Sequence, residues 1–178
     1  MEDARIVRSR KALHGALLKL IVAKPFNEVT VRDITAAANI GYATFFRHYP
    51  SKEALLEAAA ANELRQVLKI SMPIIDAGDS RASCVTLCTY VHKNRALWSA
   101  LLAGGAQQTM REELIRVSRE NALTRSKPGV PTEVAIMVCV GSIVEILSWW
   151  LRQSDIAIDQ AADLLNDLAV VPILDKFL

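Results

Sequence analysis

Apolar residues recur at intervals of three and four along most of this 178-residue chain, which is the spacing of helices that bury one face. The alternation of apolar and polar residues that marks a half-buried strand is absent, and Gly and Pro fall between the periodic segments. The pattern predicts an all-α protein of about nine helices. Their predicted bounds are 4–23, 31–38, 41–49, 52–71, 80–93, 95–102, 107–123, 132–153 and 159–171.

Short-range signals mark the helix boundaries between residues 30 and 53. Thr30 and Asp33 have the spacing of a capping box, in which each side chain bonds the backbone N–H of the other residue. Asn39 stands where a tight turn needs a left-handed residue, and Ser51 is a favourable cap for the next helix. Two short helices joined by about four residues and packed on a longer helix form a helix-turn-helix. The apolar residues expected to hold them together are Ile34, Ala37, Ile40 and Phe45.

The helix predicted at 132–153 is apolar nearly all round, which indicates burial on several sides. It is long enough to span a membrane, but it contains Gly141 and Glu145, and we interpret it as a buried helix. A chain of this length rarely encloses such a helix within one subunit. We therefore predict a homodimer formed by the helices at 132–153 and 159–171, with the core of a monomer as the alternative.

Charge is distributed unevenly, although the formal net charge is only +2. Residues 1–53 contain nine Lys and Arg against five Asp and Glu, whereas the remainder contains twelve against fourteen. A basic front on a mildly acidic body is typical of a protein that binds a polyanion. The first half of the first helix has cations that form either a solvated face or phosphate contacts, namely Arg5, Arg8, Arg10 and Lys11.

The segment 30–55 reads TVRDITAAANIGYATFFRHYPSKEAL. It contains a Thr-capped helix, a pair of small residues, a turn, a short aromatic helix and a final His-Tyr-Pro-Ser-Lys-Glu. This string resembles the N-terminal domain of TetR-family (tetracycline-repressor-like) transcriptional regulators. The resemblance implies a three-helix DNA-binding domain at 1–52 and a helical effector-binding and dimerisation domain at 53–178. It also implies a sequence-specific repressor that a small-molecule effector releases from an inverted-repeat operator.

By this resemblance, the segment from Gly41 to Tyr49 is the recognition helix that lies in the major groove. Tyr42, Ala43 and Thr44 align with base-facing positions. Arg47 aligns where it either reads a guanine or holds a phosphate. The residues that align with phosphate contacts are Thr30, His48 and Lys52.

Three positions depart from the family pattern. Asn39 replaces the usual Gly and Gly41 replaces the usual Ser, and both changes are mild because Asn tolerates a left-handed turn and Gly is acceptable as a cap. Phe46 replaces a Tyr whose hydroxyl reaches a phosphate in the family. We expect one phosphate contact to be missing, because Phe46 has no hydroxyl.

A ligand pocket is expected inside the helical body. Glu145 is the most distinctive residue there, since a carboxylate amid apolar residues must be paired, protonated or exposed. Its possible roles are to bind a cationic ligand, to pair across the dimer or to face solvent. The candidate lining residues are Leu68, Met72, Cys88, Val91, Trp98, Leu101, Met110, Leu114, Met137 and Glu145.

Cys84, Cys88 and His92 are spaced by four residues and share one helical face, so the alternative function is a thiol- or metal-responsive regulator on the same scaffold. The three cysteines are few and odd in number, and no targeting peptide is visible, so we expect a cytoplasmic protein. No cofactor is expected. Enzymatic activity is not expected either, because the histidines, which include His14 and His48, lack a convincing nucleophile or carboxylate partner.

Overall fold

The computed structural model describes residues 4–102, 107–122 and 131–177, and these ranges form helices joined by short turns, without a strand. The all-α expectation is confirmed. A 3₁₀ turn, Phe26–Glu28, lies between the first two helices, and a π-helical turn, Asn166–Val170, joins the last two. The helices are α1 (Ala4–Ala23), α2 (Val31–Ala38), α3 (Tyr42–His48), α4 (Lys52–Asp76), α5 (Ser80–Lys93), α6 (Arg95–Leu102), α7 (Gln107–Ala122), α8 (Thr132–Leu151), α9 (Ile158–Leu165) and α10 (Val171–Phe177).

The local signals between residues 30 and 53 form the contacts that their spacing predicts. The Asp33 N–H donates to Thr30 Oγ1 over 3.1 Å and the Thr30 N–H donates to Asp33 Oδ2 over 2.9 Å, which completes the capping box of α2. Asn39 ends α2 in the left-handed conformation, with φ 53° and ψ 47°. The Ser51 hydroxyl accepts from the Ala54 N–H over 3.2 Å and caps α4. Local sequence suffices for these features because each partner lies within three residues.

The end of α1 is tied to the start of α2 through the same carboxylate. Lys24 Nζ donates to Asp33 Oδ2 over 2.8 Å. This hydrogen bond, together with those to Thr30, lowers the pKa of Asp33 to about 2. The capping carboxylate therefore stays ionised, and the first turn of α2 stays capped, throughout the neutral range.

The prediction that α4 ends near Ser71 is wrong, because this helix runs through Pro73 to Asp76. A proline inside a helix deprives the carbonyl four residues earlier of its N–H partner. Here that carbonyl belongs to Lys69, and both Lys69 and Pro73 lie on the exposed side of α4. Water can take the place of the missing donor on that side, so the helix tolerates the proline.

The final helix is also longer than predicted, since α10 continues past Val171 to Phe177 and includes Pro172. The Val171 N–H donates to the carbonyl of Asn166, five residues earlier, in a π-helical turn. Such a turn is wider than an α-helical one, and it lies just before the proline ring. We attribute the continuation to the space that this wider turn provides.

The N-terminal domain and the body share a continuous core. Helices α1, α2 and α3 pack together, and α4 runs from beneath them into the body, where it packs between α5 and α7. Helix α8 lies against α6, α7 and α9. The largest fully buried side chains include Leu13, Leu17, Ile34 and Phe45 in the N-terminal domain and Trp98, Met110, Trp150 and Leu165 in the body.

Helix α8 is only partly covered within one chain. By length and composition alone it could span a membrane, and 44% of its most apolar window is buried. Its open side has exposed apolar side chains, among them Val134, Met137, Val138 and Trp149. The expected burial on several sides is therefore incomplete in a single copy of the chain. The covered side consists of Ala135, Ile136, Val140, Val144, Leu147, Ser148, Trp150 and Leu151.

Candidate nucleic-acid interface

Helix α3 is attached to the N-terminal domain by one side only. Phe45 is fully buried, and its ring centroid lies 6.2 Å from that of Tyr49. The turn before α3 is closed by the Ile40 N–H, which donates to the Thr35 carbonyl over 3.0 Å. This anchoring leaves the opposite side of α3 open to solvent, as a helix that enters a DNA groove requires.

The open side of α3 has two aromatic rings. Tyr42 is 53% exposed and Phe46 is 46% exposed, and their rings meet edge to face with centroids 5.2 Å apart. Ala43 and Arg47 are exposed beside them. Three of the residues predicted to read bases therefore lie on one accessible surface, together with the phenyl ring of Phe46.

Thr44 and Arg47 are coupled to each other. Arg47 Nη2 donates to Thr44 Oγ1 over 2.8 Å, so the threonine hydroxyl is engaged before any DNA arrives. A guanidinium has five N–H donors in a planar fork, and this contact uses one of them. The sequence suggested that Thr44 contacts a base by itself, whereas the structure shows that it also orients Arg47.

The structure also defines the surroundings of Thr30, His48 and Gly41. The exposed Thr30 hydroxyl accepts from the Asp33 N–H, and its own hydrogen can still donate to a phosphate oxygen. His48 is half-buried, with its ring centroid 6.4 Å from that of Tyr49. Gly41 caps α3 only through its backbone, because its carbonyl accepts from the N–H groups of Thr44 and Phe45.

Arg32 was not among the site residues predicted from the sequence. It is an exposed cation in the first turn of α2, and it lines an open groove of about 720 Å³ together with Asn39 and Tyr42. The sequence offered one signal for this residue, namely a basic side chain at the N-terminal end of a predicted helix-turn-helix. Basic side chains at protein–DNA interfaces commonly contact phosphates.

The structure does not support the phosphate contact predicted for Lys52. Lys52 Nζ donates to the carbonyls of Phe26, Asn27 and Val29, over 3.1, 3.1 and 2.7 Å. It also lies 4.7 Å from the centroid of the Phe26 ring. An ammonium group has three N–H donors, and all three are used here. Lys52 therefore ties the start of α4 to the turn between α1 and α2.

We predict that Lys52→Met lowers the free energy of unfolding by about 1–3 kcal/mol, because it removes charged hydrogen bonds to three carbonyls. Urea denaturation followed by circular dichroism measures this change. Lys19→Met, at an exposed lysine of α1, is the control and should change stability little. If Lys52→Met instead left stability unchanged and reduced the salt dependence of DNA binding by about one ion, Lys52 would be a phosphate contact.

A hydrogen bond joins α1 to the residue that ends α3. His14 Nε2 lies 2.8 Å from the Tyr49 hydroxyl. Burial, with a smaller contribution from the nearby charge of Arg10, lowers the pKa of His14. Neutral imidazole is therefore favoured, and in that state Nε2 can accept the hydrogen of the Tyr49 hydroxyl.

The residues predicted to bind an effector do not all lie together. Leu68 and Met72 line a cavity of about 410 Å³ between α4 and α7, together with Val117. Met137 is 46% exposed and Glu145 is exposed, both on α8, so their assignment to an internal pocket is wrong. They were misplaced because the sequence does not show which side of an almost wholly apolar helix is covered. Leu114 is half-buried, and the others are buried in the core, namely Cys88, Val91, Trp98, Leu101 and Met110.

Trp98 has an unusual polar atom. Its side chain is 1% exposed, and its indole N–H has no hydrogen-bond acceptor in the described part of the chain. The ring meets that of Tyr90 edge on, with centroids 6.4 Å apart, and the Tyr90 hydroxyl donates to Glu63 over 3.0 Å. A buried donor without an acceptor costs about 1–3 kcal/mol, and such groups often serve function.

Cys84, Cys88 and His92 lack the properties that a thiol or metal sensor requires. Burial raises the pKa of Cys84 to about 11 and that of Cys88 to about 12, so both thiols stay protonated and unreactive. His92 is exposed, and its ring stacks on Trp150 with centroids 6.0 Å apart. Across the described ranges, no three His, Cys, Asp or Glu side chains are grouped so that they could hold a metal ion.

The fold is shared with solved regulators over nearly the whole chain. A TetR transcriptional regulator from Streptococcus agalactiae is 22% identical, with a TM-score of 0.65, and the match covers 99% of this chain and 98% of that one. FadR from Thermus thermophilus, a TetR-family transcriptional repressor solved with lauroyl-CoA, is 18% identical, with a TM-score of 0.59 and 95% of each chain covered.

A left-handed turn between two short helices, with the second helix open on one side, is the geometry of a helix-turn-helix. Residues 14–59 match the family described as "Bacterial regulatory proteins, tetR family". The N-terminal part of the chain is therefore similar to the DNA-binding part of TetR-family regulators, in agreement with the resemblance in segment 30–55, and the whole chain shares their fold. A segment of 67 residues is also 37% identical to the uncharacterized HTH-type transcriptional regulator YxbF of Bacillus subtilis (strain 168). That segment spans 37% of this chain and 18% of that relative.

Proposed function

We propose that this protein is a cytoplasmic repressor that binds an inverted-repeat operator as a homodimer and is released by a small-molecule effector. The open side of α3 is the observation that carries the proposal. Tyr42, Ala43 and Arg47 would lie against base edges in the major groove, while Thr30, Arg32 and His48 would hold the phosphates on either side. The contacts to base edges would give sequence preference, and the contacts to phosphates would give affinity.

The homodimer is supported by the open side of α8. Its exposed apolar side chains are joined by Leu168, which lies in the turn between α9 and α10 and is 62% exposed. Contiguous apolar surface of this kind usually marks an interface between proteins. Glu145, exposed on the same helix, would pair with a polar group across the twofold axis or remain at its rim. A twofold dimer presents two copies of α3 to the two halves of an inverted repeat.

An effector site in the body is supported by the cavity between α4 and α7 and by the unpaired N–H of Trp98. The first offers apolar contact through Leu68 and Met72. The second offers a hydrogen-bond donor to a ligand that reaches the core. FadR was solved with lauroyl-CoA, and RolR, a relative of similar fold, was solved with resorcinol. An effector would act by binding one spacing of the two DNA-binding domains more tightly than another.

Selection of bound sequences from a random duplex library at physiological salt tests the proposal. We expect a twofold-symmetric motif whose half-sites are separated by one helical turn of DNA or a multiple of it. A selected library without a motif would overturn the assignment of sequence-specific binding. An asymmetric or single half-site would overturn the dimeric mode of binding.

Arg47→Ala should weaken binding to the selected site by roughly 10–100-fold and relax the preference for guanine at one position in each half-site, since a bidentate contact to guanine is lost. Thr44→Val should act in the same direction but less strongly, because it removes the acceptor that orients the guanidinium. Binding titrations against the site and its single-base variants measure both effects.

Lys93→Ala, at an exposed lysine at the end of α5, is the control and should bind like the unaltered protein. A uniform loss for every sequence, with a salt dependence lowered by about one ion, would show that Arg47 contacts a phosphate instead.

A further inference from the structure

A second cavity, of about 420 Å³ and open to solvent, lies where the DNA-binding domain meets the body, and Asn62 and Arg65 in its lining are exposed. It is bounded by α1, by Tyr49 after α3, by α4 and by α7. Three small residues on one side of α4, Ala54, Ala58 and Ala61, form part of its wall and leave the space open. Its volume falls within the range of small-molecule sites, about 300–1,000 Å³.

The lining of this junction cavity has more positive than negative groups. Three guanidinium groups, those of Arg10, Arg65 and Arg116, face two carboxylates, those of Glu57 and Glu113. Two of these groups neutralise each other, because Arg116 Nε donates to Glu113 Oε2 over 2.8 Å and Glu113 is 9% exposed. The guanidinium of Arg65 adds a positive charge to this lining, which favours an anion as the occupant.

Arg65 is the residue best placed to bind that anion. It projects from the middle of α4 and lines both the junction cavity and the cavity beside Leu68. Among the described residues it has no ion-pair partner. A guanidinium with its fork unused is suited to bidentate binding of a carboxylate or a phosphate.

Polar groups other than the arginines complete the lining. The hydrogen-bonded pair of His14 and Tyr49 borders the cavity on the side of the DNA-binding domain, and Asn62 borders it on α4. The amide of Asn62 offers both a donor and an acceptor, and the carboxylate of Glu57 offers an acceptor. These groups can bond hydroxyls, which an unsubstituted hydrocarbon acid lacks.

We propose that the junction cavity binds a small hydroxylated oxyanion, a carboxylate or a phosphate ester, through Arg65. The ligand contacts α1 and Tyr49 on one side and α7 on the other, so it clamps the DNA-binding domain against the body. A ligand that fits one arrangement of the two parts better than another changes the affinity for DNA. This site is separate from an effector site beside Leu68, and only its effect on DNA rests on the proposed function.

Isothermal titration of the full chain with sodium phosphate, citrate and glucose 6-phosphate, at an ionic strength held constant with KCl, tests the site. We expect at least one of these probes to bind with a Kd of about 1 mM or lower. Arg65→Gln should weaken that binding at least about tenfold, the loss expected for a bidentate charged contact. Lys69→Gln, one turn further along α4 and outside the junction cavity, should change it less than about twofold.

A second variant tests whether the probe occupies the junction cavity, and it leaves the charge of the chain unchanged. Ala58→Leu places a larger side chain in the half-buried wall of the cavity and should abolish binding, with an unchanged helical spectrum as the check on folding. Failure of all three probes to bind, or an equal loss in Arg65→Gln and Lys69→Gln, would overturn the site. Full binding by Ala58→Leu would overturn it as well.

The clamp is tested by measuring affinity for the selected duplex with and without the bound probe. We expect a change for the unaltered protein and none for Arg65→Gln. Binding of the probe with no change in DNA affinity would overturn the clamp. The titration contains no DNA, so it decides the site even if the selection yields no motif.

Discussion

Val138→Glu is expected to convert the proposed homodimer into a monomer. Val138 is 54% exposed and lies in the middle of the open side of α8, together with Val134 and Met137. In a twofold interface the substitution places two carboxylates close together in an apolar contact, where charges are costly to bury. Sedimentation velocity measures the loss of the dimer. Affinity for the full operator should fall by roughly 10²–10⁴, the usual gain from linking two binding modules.

Ile70→Glu is a suitable control, because Ile70 is an apolar residue of α4 with a similar exposure of 42%. This variant should remain dimeric and bind DNA normally. If Val138→Glu also remained dimeric, the open side of α8 would not be the dimer interface. If both variants became monomeric, the effect would be general rather than specific to α8.

Phe45→Ala is expected to cause the largest loss of stability in the DNA-binding domain, about 3–5 kcal/mol. Phe45 is fully buried and provides the main anchor of a helix of seven residues. Such a short helix is unstable without tertiary contacts. Because a domain of this kind is stable by only about 5–15 kcal/mol, α3 should detach and DNA binding should be lost. Urea denaturation and binding titrations measure the two effects.

Phe46→Ala provides a matched control at the next residue, since Phe46 is 46% exposed. It should cost less than about 1 kcal/mol, because little apolar surface is removed from the core. A similar loss of stability in the two variants would show that α3 is anchored by both faces, and therefore that its outer face is not open for DNA.

Much of the helix-turn-helix could be predicted from the sequence because its signals are local. The capping box of Thr30 and Asp33 and the left-handed turn at Asn39 depend on residues within one turn of each other. The bounds of α1 and α5 agree with the predicted ranges, because the apolar period and the flanking turn residues suffice for them. The resemblance of segment 30–55 to the TetR family was visible for the same reason, since that segment is continuous.

The features that the sequence did not reveal concern partners distant in the chain. The three carbonyls that bind Lys52 are 23 to 26 residues away, so the motif around this lysine does not reveal them. The position of the junction cavity likewise depends on how α7 packs against α4. Both features require the tertiary structure, because only packing brings these atoms together.

The sequence by itself determined the all-α class, most helix bounds and the helix-turn-helix, because each follows from periodicity or from adjacent residues. The tertiary structure alone decided which side of α8 stays open, and hence that Met137 and Glu145 lie outside the core. It also decided that Lys52 binds the carbonyls of Phe26, Asn27 and Val29. The physical reason is that burial and hydrogen-bond choice are properties of the whole packing arrangement, whereas helix caps and turns are properties of a few neighbouring residues.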